Sequence, residues 1–190
     1  MTLFDTHAHY DDEAFDADRD AVLAAFDGLV IDPGCTLASS QAAVDLAARH
    51  PHVYAAVGIH PENCGDFVPE HMDALRQLAR EPKVVAIGEI GLDYYWPENP
   101  PRDFQQQVFR AQLELALELD LPVIVHDREA HGDSLAIVKE YPALRGVFHC
   151  YSGSVEMARE LLDLGWYLGF DGPVTYKNAR KTVEVAEIVP

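Results

Sequence analysis

The chain has 190 residues, 48% of them hydrophobic and 24% charged; this is the length of one domain and the composition of a soluble globular protein with a real core. No apolar run approaches the roughly 20 residues of a membrane-spanning helix, and the opening MTLFDTHAHY has no basic stretch leading into an apolar one, so neither a membrane span nor a signal peptide is expected. The net charge of −18, from 32 acidic and 14 basic residues without a Lys/Arg cluster, excludes a protein that holds nucleic acid by neutralising phosphates with its own surface.

Any polyanionic substrate must therefore be held by something other than net charge, and bound divalent cations are the natural candidate. Cys35, Cys64 and Cys150 are odd in number and form no C-x-x-C pair. They read as small buried hydrophobes in a reducing compartment, and a cytoplasmic location follows as the expectation.

In chain order, short apolar runs alternate with helical patterns. The predicted strands are TLFDTH from Thr2, LVIDPG near residue 30, VYAAVGIH at 53–60, VVAIGEIG at 84–91, PVIVHD at 122–127, GVFHCY at 146–151 and WYLGF at 166–170. Between them, ADRDAVLAAF, SSQAAVDLAARH, MDALRQLARE, QQQVFRAQLELALEL, SLAIVKEY and SVEMARELLDLG repeat apolar residues every three or four positions, the spacing of a helix. The strand runs are almost continuously apolar, as parallel strands covered by helices require. Strand alternating with helix and no break in composition predicts one α/β domain over 1–190.

No glycine-rich phosphate loop follows the first strand, which removes the strongest support for an open dinucleotide-binding sheet. A TIM-like (β/α) barrel instead places functional residues at the C-terminal ends of many strands at once, and that is where this sequence puts its histidines. Such a barrel needs eight strands and about 250 residues. Seven strands and a last helical stretch, KNARKTVEVAEIVP, are found here, so the expectation is an incomplete barrel lacking the eighth strand, with an uncovered edge through which copies can associate.

Nine histidines occur. His7 and His9 end the first predicted strand, His60 the third, His126 the fifth and His149 the sixth. The other four, His50, His52, His71 and His131, follow no such pattern and read as surface residues. On an extended strand His7 and His9 point to one face, about 6.6 Å apart along the backbone. Glu89, in AIGEIGLD, is an acid inside an apolar run with no basic residue in its strand or turn, a costly placement unless it meets a cation.

Four histidines and a glutamate at corresponding strand ends therefore predict metal binding: His7 and His9 on one ion, His126 and His149 on another, and Glu89 across both. Imidazole with carboxylate suits zinc, manganese or nickel; magnesium, which prefers oxygen, is the further candidate. His60 and Asp93 are candidates for orienting water or ligands. Arg128, Tyr151 and Ser152 are candidates for phosphate contact, and Tyr94, Tyr95 and Trp96 for stacking on a base; packing over the barrel rim is the competing role for the aromatics.

The motifs D-T-H-A-H at 5–9, G-I-H-P at 58–61, G-E-I-G-L-D-Y at 88–94, V-H-D-R-E-A at 125–130, H-C-Y-S-G at 149–153 and G-P-V-T-Y-K-N-A at 172–179 resemble, in order along the whole chain, the TatD family of metal-dependent deoxyribonucleases in the amidohydrolase-like superfamily. The resemblance implies metal ligands at His7, His9, Glu89, His126 and His149 with the glutamate bridging, and hydrolysis of DNA phosphodiesters, often as a 3′-to-5′ exonuclease, through a water activated by two ions. The family's further aspartate, at the end of strand eight, has no motif counterpart up to residue 190; Asp171, at the end of strand seven, has no motif match. Two other readings stay open: a hydrolase of small esters, lactones or amides using the same metals, which the charge of −18 favours, and a non-catalytic remnant.

Overall fold

The computed structural model describes residues 3–190; Thr2, where the first predicted strand begins, lies outside them. The chain alternates strand and helix throughout: β1 (Leu3–Asp5), α1 (Arg19–Ala25), β2 (Gly28–Pro33), α2 (Leu37–Arg49), β3 (Val53–Val57), α3 (Pro69–Leu78), β4 (Val84–Asp93), α4 (Arg102–Leu119), β5 (Val123–Arg128), α5 (His131–Lys139), β6 (Gly146–Phe148), α6 (Val155–Asp163), β7 (Tyr167–Leu168) and α7 (Arg180–Ala186). All seven predicted strands form. They pair in sequence order into one parallel sheet, as helical crossovers between consecutive parallel strands dictate. No helix among the described residues is long and apolar enough to cross a membrane.

Each strand sends alternate side chains to opposite faces. Outward, Val30, Val53, Val57, Ile87, Val123, Val125 and Phe148 meet Leu46, Leu75, Phe109, Leu113 and Leu161 from the helices and form the main core. Inward, Ile31, Ala56, Ala86 and Ile124 form a smaller cluster. The sheet curls until Leu3 and Phe4 of β1 and Tyr167 and Leu168 of β7 line one cavity of about 1240 Å³ together with that inner layer. This is the incomplete barrel the sequence predicts. Among the described residues β1 pairs only with β2 and β7 only with β6.

Two local features aim side chains at the inner mouth. On β4, Ile87 pairs with Val123 but Ile90 with Val125, so β4 carries one residue more than β5 between those pairs. This bulge resets the alternation, and Glu89 turns inward between two outward isoleucines. Gly91 sits at φ +143, and a Cβ there would lie 2.0 Å from the His126 carbonyl oxygen, so glycine lets β4 and β5 close up where Glu89 and His126 must meet.

Candidate metal centre

Glu89 is 3% exposed, and five imidazoles surround its carboxylate. Oε2 lies 3.3 Å from His7 Nε2 and 3.5 Å from His9 Nε2. Oε1 lies 2.6 Å from His149 Nε2, 3.0 Å from His126 Nδ1 and 3.5 Å from His60 Nε2. The pairs assigned from sequence to two ions thus fall on the two oxygens of one carboxylate. His7 also stacks on His149, with ring centroids 3.8 Å apart and planes 5° from parallel.

The chain reaches this arrangement differently from the expectation for its first pair. β1 stops at Asp5, so His7 and His9 stand on the loop beyond the strand. Their convergence comes from how that loop is pinned. The His7 N–H donates to Asp5 Oδ1 at 3.0 Å and the Ala8 N–H to the Ile31 carbonyl at 3.1 Å. The Arg19 guanidinium donates to the carbonyls of Tyr10, Asp11 and Asp12. His60 likewise lies beyond β3, at the start of a 3-10 turn over Pro61–Asp66. His149 follows β6 directly, and Cys150 behind it takes φ +44, a left-handed residue that turns the chain away as soon as the imidazole is placed.

Hydrogen bonds set the roles of individual nitrogens. His126 Nε2 lies 3.0 Å from Asp93 Oδ2; with the proton there, its Nδ1 presents a lone pair beside Glu89, the carboxylate–histidine arrangement that orients a metal ligand. His60 Nδ1 accepts the Glu62 N–H at 3.2 Å, so in the neutral ring its proton sits on Nε2, facing Glu89 as a donor. His149 Nδ1 is 3.7 Å from Asp171 Oδ2. Two buried glutamines hold the framework. Gln105 pairs with both the N–H and the carbonyl of Asp93, and Gln112 with both backbone groups of Ile59, next to His60.

The residues fit a bound cation. His7 Nε2 and His9 Nε2 are 3.1 Å apart and His126 Nδ1 and His149 Nε2 are 3.3 Å apart, so lone pairs crowd together around a buried anion unless a positive charge lies among them. In the protein alone that charge is a proton. Burial alone would lower the pKa of His9, but hydrogen bonds to Asp11 and Glu89 outweigh it and raise it to about 10. His126, buried but held by Asp93 and Glu89, is raised to about 9. Burial would raise the pKa of Glu89, yet the surrounding imidazoles hold it well below the carboxylate range. His7, with Nδ1 buried and unpartnered among the described residues, is lowered, chiefly by burial. Metals take the places of such protons.

The family described as "TatD related DNase" matches residues 4–190. The chain belongs to the TatD family. It is 40% identical over 194 residues to the "uncharacterized metal-dependent hydrolase YabD" of Bacillus subtilis strain 168, covering 99% of this chain and 76% of that protein. It is 35% identical over 195 residues to the "3′-5′ ssDNA/RNA exonuclease TatD" of Salmonella typhimurium, covering 99% and 74%. The crystal structure of YjjV, a TatD homologue from Escherichia coli K12, superposes with a TM-score of 0.91 at 35% identity, covering 99% of this chain and 75% of that one. This TatD-family chain thus spans about three-quarters of the length of those relatives, and its family is one of metal-dependent hydrolases.

The remaining predicted residues divide. Arg128 is exposed, its guanidinium 4.0 Å from the Tyr95 ring centroid and 5.4 Å from that of Trp96. Ser152 is exposed on the loop after β6. Tyr151 corrects the expectation of a phosphate contact: it is 3% exposed, and its hydroxyl donates to the Ser154 carbonyl at 2.8 Å. Tyr94 is likewise taken up, donating to Asp133 at 2.9 Å, which leaves Tyr95 and Trp96 as the exposed pair. The four remaining histidines are half-buried; His50 meets Asp20, His52 the Leu23 carbonyl and His131 Asp127. Of the cysteines only Cys64 is fully buried; Cys35 lies with Sγ 3.8 Å from Glu89 Oε2, a neighbour that the sequence reading missed.

Proposed function

We propose that this chain hydrolyses nucleic-acid phosphodiesters, removing nucleotides from the 3′ end of single-stranded DNA, with divalent cations held by His7, His9, Glu89, His126 and His149. The observation that carries the proposal is the division of four imidazoles between the two oxygens of one buried carboxylate. Zinc, manganese, magnesium or nickel bound there would supply the Lewis-acid charge that activates water and offsets the charge of the phosphate.

The residues of the chain supply the rest. Glu89 stays ionised at neutral pH because the imidazoles around it outweigh its burial. Asp93 fixes which nitrogen of His126 faces the centre, and His60 donates toward Glu89 and restrains its orientation. Arg128, with Tyr95 and Trp96, gives the mouth an exposed cation and two aromatic faces, a suitable pairing for a phosphate and a stacked base. On a chain of net charge −18, substrate capture rests on such local groups, and binding weakens steeply with salt only as far as those few contacts allow.

The charge of −18 favours a second reading, hydrolysis of small esters, lactones or amides at the same centre. Single-stranded oligonucleotides labelled at either end, tested beside a panel of such esters and amides in Mn²⁺, separate the two. The expected result is stepwise shortening from the 3′ end, lost in Glu89→Gln. Ester hydrolysis without DNA cleavage would replace the nuclease reading, and turnover of neither by metal-loaded protein would leave a non-catalytic chain.

A further inference from the structure

Asp32 is an acid that the glutamate-centred site does not use. It stands on β2, on the face it shares with Val30, and is 0% exposed. Neither Oδ1 nor Oδ2 has a hydrogen-bond partner among the described residues. Its charged neighbours are Asp11 and His9. The Arg19 guanidinium, at the start of α1, is occupied by three backbone carbonyls and by the Asp16 carboxylate. A buried carboxylate next to a second carboxylate, with no basic side chain on it among the described residues, needs a proton or a cation between them.

The surroundings favour the cation. One donor atom from each of His9, Asp11 and Asp32 lies within 4.8 Å of the other two, a span that suits ligands about 2.1–2.5 Å from a shared ion. His9 faces both ways: Nε2 lies 3.5 Å from Glu89 Oε2, while Nδ1 lies 3.8 Å from Asp11 Oδ1.

We infer that Asp11 and Asp32, with His9 at their edge, form a further divalent-cation site beside the glutamate-centred one. Its two carboxylates select a hard ion that takes oxygen ligands, a class to which Mn²⁺ belongs. A neutral imidazole has one lone pair. When Nε2 is committed to the Glu89 side, Nδ1 carries the proton and faces the Asp11 carboxylate at 3.8 Å, so the carboxylates define the site and His9 links it to its neighbour. The inference stands whichever bond the protein cleaves.

Mn²⁺ titration followed by electron paramagnetic resonance counts the bound ions. Asp32→Asn should bind one Mn²⁺ per chain fewer than wild type, while Glu89→Gln should keep the class that Asp32→Asn loses. Equal stoichiometry and affinity in Asp32→Asn and wild type would mean that a buried proton, not an ion, lies on Asp32 and would overturn the site, as would loss of every bound Mn²⁺ in Glu89→Gln. Should Asp32→Asn fail to fold by circular dichroism, Asp11→Asn on the surface loop takes its place. Crystals of wild type soaked in Mn²⁺ then decide: anomalous density between Asp11 and Asp32 supports the site, and density at Glu89 alone rejects it.

Discussion

The strands that carry Glu89 and His126 lie in the middle of the sheet, and α4 holds the end of β4 through Gln105 and the turn after β3 through Gln112. β1, which leads into His7 and His9, leaves Leu3 and Phe4 60% and 57% exposed, and β7 on the opposite edge leaves Tyr167 71% exposed. The two oxygens of Glu89 look toward these unequal halves: Oε1 toward β5, β6 and the His60 turn, Oε2 toward the β1 loop. The difference suggests a division of labour. The packed half fixes ring orientation through second partners such as Asp93, while the open half pins the backbone of its loop and leaves His7 Nδ1 without a partner among the described residues.

That contrast is open to direct attack. The largest effect is expected from pH in the metal-free protein, because it acts on both halves at once. His9 and His126 are raised from 6.5 to about 10 and about 9. Their stabilisation is therefore complete below pH 6.5 and lost as pH rises through 9 to 10. Melting in chelator should show Tm falling from about pH 6.5 and levelling off near pH 10, and metal-loaded protein, with ions in place of those protons, should not show that fall. A flat chelator profile would remove the charged cluster from the account.

Next comes Asp93→Asn. It leaves His126 in place but frees its tautomer, and metal affinity by competitive chelation should drop about 10- to 100-fold. An unchanged affinity would show that the packed half needs no such partner. The smallest effects separate the halves by stability alone. Gln105→Ala leaves the buried N–H of Asp93 unpaired and its carbonyl with only the Asn99 amide, and should cost about 1–3 kcal/mol in urea unfolding. Phe4→Ser on the exposed edge should stay within about 0.5 kcal/mol. Equal costs would erase the distinction.

The inner strands were legible because parallel strands flanked by others in a helix-covered sheet are apolar for most of their length, and that leaves a strong trace in the sequence. Glu89 was legible for the same reason, as the acid that breaks such a run. Asp32 sits in LVIDPG under the same rule, but at the end of its run beside Pro33 and Gly34 it passes for the start of a turn. Strand ends were less legible: the H-x-H spacing suggested an extended strand, whereas hydrogen bonds to Ile31 and from Arg19 pin the loop that brings His7 and His9 together. The β4 bulge lies in pairing register, which no single strand's pattern reveals. Gln105 and Gln112 were invisible because a helical pattern read for apolar residues passes over polar ones that are buried to serve another backbone. Tyr151 misled for a simple reason: following a ligand in sequence does not mean facing the same space.

The central claim is that imidazoles from both halves share cations with Glu89. Anomalous scattering from crystals of the Mn²⁺-loaded protein tests it most directly. The account predicts density within coordination distance of Glu89 in wild type and none at that place in Glu89→Gln. Loaded wild-type crystals with the five rings in position and no density beside Glu89 would contradict it.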